Sequence, residues 1–366
     1  MIKKAAVFAG SLIAALVVID VYLQLAEIQT PMETRIDPAL GPAYIPGKPI
    51  TRFNEGFFIG SVNEFGYMGP AIPPRRRAGE RRILLLGDSF VLGHTVLPRH
   101  YFGRYLEDAL RAETGAEVHA LNFGKADFDL GNMFQYYEDF AGTFDHDVAL
   151  FFLREDDLLA RVGQRVASDL YPIVRLEGER IVVDKSFRFR RTFRFYKTIE
   201  PLLTRSAVMR LVFNAYKVFK GGGMRLLIFD KFAAIFGSGR EEPSPQTPPA
   251  REELPALSRA ILQEISRDPR NLLVIQTPLR PEIAEEVQAT GIPVIGLGSY
   301  LEQLRAEGQD PYYWPVTEMR GHWNHAAQAL IGRFLADRLV SRLDGRGEPI
   351  SPAPRKSGPA ASGSPR

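Results

Sequence analysis

Residues 83–93 read Ile-Leu-Leu-Leu-Gly-Asp-Ser-Phe-Val-Leu-Gly. An apolar run closes on Gly87-Asp88-Ser89, and chain of helical character follows. This pattern sets Ser89 on a tight turn at the carboxyl end of a buried strand, where open α/β sheets place ligands and catalytic groups. A serine hydroxyl is a weak nucleophile until a base takes its proton. The one histidine in a comparable setting is His322, in Arg320-Gly321-His322-Trp323-Asn324. A loop histidine beside a helix start is well placed to reach back to Ser89 as general base. The pair predicts nucleophilic chemistry, with the Ser89 backbone N–H able to face a developing oxyanion. The plainer role for Ser89, N-cap of the next helix, is compatible with it.

Other positions narrow the chemistry. Gly124 ends the second strand, in Leu121-Asn122-Phe123-Gly124. A glycine there lets substrate approach backbone N–H groups; the alternative is a plain strand-to-loop glycine. The third strand runs into Arg154-Glu155-Asp156-Asp157, whose two aspartates suit the cap of a following helix. His325 reads as a surface or capping residue. His94, His100, His119 and His146 share no spacing and no carboxylate pattern suited to a metal. No glycine-rich nucleotide loop follows a strand, so neither metal nor cofactor is expected.

The elements that must hold these residues alternate. Strands are predicted at Arg82–Leu86, Val118–Phe123, Val148–Leu153, Leu272–Gln276 and Val294–Leu297. Helices are predicted at Tyr101–Thr114, Leu130–Phe144, Leu254–Ser266, Arg280–Thr290 and Asn324–Leu343. Such alternation argues for a parallel sheet with right-handed crossovers. Residues 163–250 break it, with a hairpin predicted at Ile173–Asp184 and a Pro-rich loop at Glu241–Ala250. Residues 27–80, rich in Pro and Gly, read as an extended stalk and lead-in, with a turn at Asn63–Tyr67.

The blocks around Asn63–Tyr67, Ser89, Gly124, Asp156 and His322 resemble those of the SGNH (GDSL-type) serine esterases and acyltransferases, in the same order. The resemblance spans residues 82–160 and 270–340, a little under half the chain. It implies a three-layer α/β/α sandwich around a central parallel sheet, and no cofactor. It implies Ser89 as nucleophile, His322 as base and Gly124 as a second oxyanion donor. Two positions depart from the family. Asp156 stands where the family has an oxyanion-donating Asn, and an ionised Asp only accepts. Arg320 stands where the family has the Asp that orients the histidine. Glu318, an acidic residue from elsewhere, or a backbone carbonyl in a Ser-His dyad would have to serve instead. Membrane-anchored relatives commonly act on acetylated surface polysaccharides. The resemblance therefore implies an esterase or O-acyltransferase with an acylated carbohydrate or other ester as partner. The departures leave open a second reading, a chemically weak protein that binds a glycan or partner in envelope polysaccharide assembly.

The chain has 366 residues, 45% hydrophobic and 24% charged, enough for a large core. Its net charge of +3 gives no global nucleic-acid signature. Without cysteine it has neither disulfide nor thiol nucleophile. Lys3 and Lys4 precede an apolar run from Ala5 to Ile19 that continues past Asp20 to Ala26. That is the pattern of a signal peptide or an uncleaved anchor over residues 1–26. With the lysines inside, it predicts a single-pass inner-membrane protein whose catalytic domain is periplasmic. The SGNH-like domain would span 81–344, and 345–366 a disordered Gly/Pro/Ser tail. Within the 163–250 insert, residues 186–236 interleave Arg and Lys with Phe and Tyr. They suit a membrane surface or polyanion, a lipid-directed esterase working there, or a helical subdomain packed on the sheet.

Overall fold

In the computed structural model the described residues are 2–26, 32–53, 55–159, 170–220 and 253–343. The predicted Pro-rich loop, residues 221–236 of the basic-aromatic stretch and the C-terminal tail lie outside them.

A helix, α1 (Ile2–Leu25), opens the chain. The stretch expected to be an extended stalk is folded into two antiparallel hairpins, β1–β2 (Thr34–Asp37, Gly41–Tyr44) and β3–β4 (Pro49–Phe53, Phe57–Ser61). Asp37 makes the first turn, its Oδ1 accepting from Ala39 N at 2.8 Å and Leu40 N at 3.1 Å. Alternation then begins as expected: β5 (Glu80–Leu86), α2 (Ser89–Leu92), α3 (Phe102–Thr114), β6 (Glu117–Asn122), α4 (Leu130–Asp139), β7 (Val148–Leu153) and α5 (Glu155–Leu159). The insert supplies the predicted hairpin, β8–β9 (Ile173–Glu177, Arg180–Asp184), turning on Gly178 at φ 60°. It also supplies two helices, α6 (Arg191–Arg205) and α7 (Ala207–Lys220). The closing elements are α8 (Ala256–Ser266), β10 (Asn271–Ile275), α9 (Pro281–Ala289), β11 (Val294–Ile295), α10 (Leu297–Ala306), the hairpin β12–β13 (Tyr313–Trp314, Met319–Arg320) and α11 (His325–Leu343).

The central sheet has order β11-β10-β7-β5-β6 and is parallel throughout. The inner strands β5, β7 and β10 carry unbroken apolar runs because both their faces are covered. Successive side chains alternate between the faces. Leu84, Leu86, Phe151, Leu153, Leu273 and Ile275 pack toward α4, α8 and α9. Ile83, Leu85, Leu150, Phe152, Leu272 and Val274 pack toward α3, α10 and α11. The fold is therefore a three-layer α/β/α sandwich.

Two buried cations fasten the N-terminal hairpins and loops to this core. Arg82 is fully buried, and its guanidinium donates to Glu80 Oε2, Pro73 O, Pro74 O and Arg75 O at 2.5–3.0 Å. Burying that charge is tolerable only because it is so completely paired. Lys125, beyond the end of β6, donates to the Pro42 carbonyl of β2. Its ammonium lies 5.1–5.5 Å from the ring centres of Tyr44, Phe128 and Tyr136, and burial lowers it to about 7.

Helices α3 and α11 touch backbone to side chain at Gly332, where an added Cβ would lie 2.6 Å from Phe102 O and Tyr105 Cβ. In an ordinary helix Gly→Ala gains about 1 kcal/mol of propensity. Here overpacking of about 1–3 kcal/mol opposes it, and a backbone oxygen cannot swing aside. Gly332→Ala should therefore lower the thermal midpoint; a rise would disprove this packing.

Candidate active site

Ser89 is carried past the end of β5 by Gly87. A Cβ at Gly87 would come within 2.3 Å of Val91 Cγ2 and 3.1 Å of Phe152 Cβ, so only glycine fits this turn. The N-cap of α2 is Asp88, whose carboxylate accepts from Phe90 N at 2.9 Å. Ser89 is thus not the cap. It is the first helical residue, half-buried, with a backbone N–H of the kind a helix start leaves without an internal partner.

His322 reaches this serine as expected, with Nε2 2.8 Å from Ser89 Oγ. On the other side of the ring stands an acid that local spacing did not reveal. Glu55, at the tip of the β3–β4 hairpin, places Oε2 and Oε1 2.9 and 3.0 Å from His322 Nδ1. The same Oε2 accepts the His322 backbone N–H at 2.7 Å. A carboxylate only accepts, so Nδ1 carries the proton and the Nε2 lone pair faces the Ser89 hydroxyl. The chemistry open to this array is removal of the Ser89 proton as its oxygen attacks, with Glu55 balancing the resulting imidazolium.

Several small features hold Glu55. Thr317 Oγ1 donates to Glu55 O at 2.6 Å, tying its hairpin to β12–β13. A Cβ at Gly321 would lie 2.2 Å from Glu55 Oε1, and one at Gly56 would lie 2.3 Å from Thr95 O. The phenyl ring of Phe90 lies 4.6 Å from the His322 ring, and Trp314 Nε1 donates to His322 O at 2.9 Å. Arg320, two residues before His322, points elsewhere and pairs with Asp310 at 2.7 Å. Neither Glu318 nor a carbonyl supplies the orienting contact. The sequence did hold a signal: Asn54-Glu55-Gly56 between two β-prone runs is a hairpin signature.

The expected oxyanion side is arranged differently. The Gly124 N–H donates to Asn122 Oδ1 at 3.0 Å, while Asn122 Nδ2 donates to Leu92 O at 3.2 Å. Gly124 must be glycine for close packing, since a Cβ would sit 2.4 Å from Leu92 N. Asp156 is half-exposed and pairs with Arg154 at 3.5 Å. Arg154, which spacing alone did not single out, also lies 3.3 Å from Asp88 and 3.8 Å from Asp157. The raised acid is Asp157. Its carboxyl is fully buried, accepts from Arg154 N at 2.8 Å, and burial with Asp88 nearby pushes it up to about 8. His119 does have carboxylate neighbours, Glu80 and Glu117. They open β5 and β6, at the sheet edge opposite Ser89, and Glu80 is committed to Arg82.

No family model matches the chain, and no curated protein matches it. Solved structures do resemble it. The lipase/acylhydrolase from Enterococcus faecalis is 14% identical with TM-score 0.37, over 72% of this chain and 97% of that one. A two-domain esterase active on acetylated mannans is 13% identical with TM-score 0.37, over 76% of this chain and 53% of that one. The M. Smegmatis aryl esterase is 15% identical with TM-score 0.32, over 72% of this chain and all of that one. All are distant likenesses, and the chemistry open to this chain rests on its own side chains.

Asp157 gives the fold a pH signature. An acid raised from 3.8 to about 8 keeps a proton in the folded chain that the unfolded chain has lost. Stability therefore falls as pH rises through that window. Asp157→Asn removes the titrating group. The loss in thermal midpoint between about pH 4 and pH 8 should be smaller than in the parent, and an equal loss would sink the assignment.

Proposed function

We propose that the protein is a serine esterase or O-acyltransferase, with Ser89 as nucleophile, His322 as general acid and base, and Glu55 as the residue that orients His322. The observation that carries this reading is the unbroken file Ser89 Oγ, His322 Nε2, His322 Nδ1, Glu55 carboxylate, with contacts of 2.8 and 2.9–3.0 Å. Ser89 Oγ attacks the ester carbonyl carbon as its proton passes to Nε2. The bond to the leaving alcohol breaks, and that oxygen takes the proton back from His322. Water or a sugar hydroxyl then attacks the acyl-enzyme by the same route in reverse.

The substrate we favour is an acylated surface carbohydrate, met outside the cytoplasm by a domain held on α1. Two observations support the anchor. Ala6–Leu25 has a mean hydropathy of 2.3 and is long and apolar enough to cross a bilayer. Asp20 is hydrogen-bonded to Ser206 of the folded domain, which favours an anchor that stays over a signal that is removed. The lysines before it favour a periplasmic domain on the inner membrane. The competing reading, a glycan-binding protein without chemistry, loses the support it drew from Arg320, because Glu55 takes the orienting role.

The test uses the full chain in detergent and a chromogenic acetyl ester. Ser89→Ala should abolish turnover and labelling by a serine-directed phosphonate. Glu55→Gln should lower kcat by about 10³–10⁴, the scale known for losing such a carboxylate. Arg320→Ala touches only an exposed ion pair and should change rates no more than a few-fold. Equal rates for the parent and Ser89→Ala would end the proposal.

A further inference from the structure

Helix α1 docks onto the insert instead of ending free. Asp20 Oδ1 accepts from Ser206 Oγ at 2.7 Å and from Val208 N at 2.8 Å. Ser206 Oγ in turn accepts from Met209 N at 3.1 Å. Asp20 and Ser206 together satisfy two of the N–H groups that open α7. Gln24 Nε2 reaches Arg205 O at 3.3 Å, and Leu23 is buried at the same place.

From this clasp the insert presents an uncovered apolar face. Phe189, Phe195, Leu202, Leu211, Val212 and Tyr216 are each 41–69% exposed. Phe195 and Leu202 stand seven positions apart on α6, and Val212 and Tyr216 four apart on α7, the spacing of an amphipathic surface. Residues 186–220 hold nine basic residues and one acid, Glu200, in a chain whose net charge is only +3. Glu200 is drawn inward, accepting from Ile36 N at 3.4 Å and pairing with Lys197 at 3.0 Å. Arg188, Arg191, Arg194 and Arg205 lie on the exposed surface.

We propose that α6 and α7 form a platform that lies on the membrane beside the anchor, its apolar side chains in the headgroup boundary and its cations on anionic lipid headgroups. This rests on α1 being an anchor. The geometry fits: Asp20 lies five residues before the end of α1, about 7–8 Å along its axis. Interfacial helices bury their apolar face about 5–10 Å. A soluble polyanion would explain the cations and leave the exposed apolar face without a role. The platform is also joined to the catalytic domain. Phe187, Phe193 and Tyr196 pack with Ile36 of β1, and β2 holds Lys125, next to Gly124. A docked platform thus fixes the angle at which the Ser89 site meets the membrane.

The chain has no cysteine, so single labels can be placed cleanly. Full-length Leu202→Cys, Val212→Cys and, as a remote control, Glu307→Cys carry an environment-sensitive fluorophore. Each is put into nanodiscs of zwitterionic lipid plus phosphatidylglycerol, with a nitroxide near the headgroup end of the acyl chain. We expect at least two-fold stronger quenching at 202 and 212 than at 307, reduced by high salt or by omitting phosphatidylglycerol. Asp20→Ala should weaken quenching at 212 at least two-fold with the thermal midpoint of the domain unchanged. Equal quenching at all three positions, in a chain that resists alkaline extraction, overturns the platform and spares the anchor. Release by alkaline extraction overturns both. Quenching indifferent to phosphatidylglycerol and salt overturns the anionic-headgroup contact.

Discussion

Everything at the candidate site depends on one carboxylate reaching one imidazole across most of the chain. Glu55 and His322 are 267 residues apart, yet the carboxylate binds both the ring and the backbone N–H of His322. Those two contacts fix the ring's position and its tautomer together, which a single contact to Nδ1 would not do. The constraint spreads outward. Gly321 must lack a Cβ to admit the carboxylate, Gly56 must lack one to let the hairpin tip descend, and Thr317 must hold the tip in place. The chain before the sheet is therefore part of the site and not merely a tether to it.

That arrangement explains why the lead-in is so firmly joined to the core. A short two-stranded hairpin is marginal by itself, and an orienting acid on a loose hairpin would not hold a tautomer. Here β3–β4 contributes Ile50 and Phe58 to a small cluster with Val62, Met68 and Leu92. Met68 bridges Asn122 at the outer edge of β6, covering an edge strand that would otherwise stand open. Arg82 and Lys125 complete the attachment with charges that would be unfavourable to bury without their partners. Ser89, His322 and Glu55 thus sit on three segments that pack against one another.

The sandwich was legible because its signal is local. Four-residue and longer apolar runs mark β5, β7 and β10 nearly to the residue, and the shorter apolar alternation before Gly124 marks β6. The same reasoning set Ser89 and His322 at one edge. What it could not supply was set by distance and brevity. Hairpins of four- and five-residue strands, with Pro and Gly between them, look like a stalk until something packs on them. Glu55 is hidden for that reason, and because the position beside His322 that would be expected to hold an acid holds Arg320. The two-residue strands β12 and β13 and the helix α10 were missed for want of periodicity. Asp157 is buried and Asp156 half-exposed, a distinction set by which side of a five-residue helix faces the core.

The oxyanion side follows its own logic. A developing negative charge needs donors, and carboxylates do not supply them. Three aspartates stand near this end of β5 and β7, and all three lie within 3.8 Å of Arg154. That guanidinium lies 5.7 Å from the Phe90 ring, which in turn packs on His322. Its first effect is to offset the charge of Asp88, whose carboxylate must accept from Phe90 N to start α2 and so to aim Ser89. The N–H-bearing groups near Ser89 are of two kinds: backbone N–H groups at Ser89 and Gly124, and the Arg154 guanidinium with its acidic neighbours. The Gly124 N–H is engaged by Asn122 Oδ1, and the guanidinium is paired with Asp88 and Asp156. The file from Ser89 through His322 to Glu55 is closed by direct hydrogen bonds, whereas the N–H and guanidinium groups on the other side are already engaged by their neighbours.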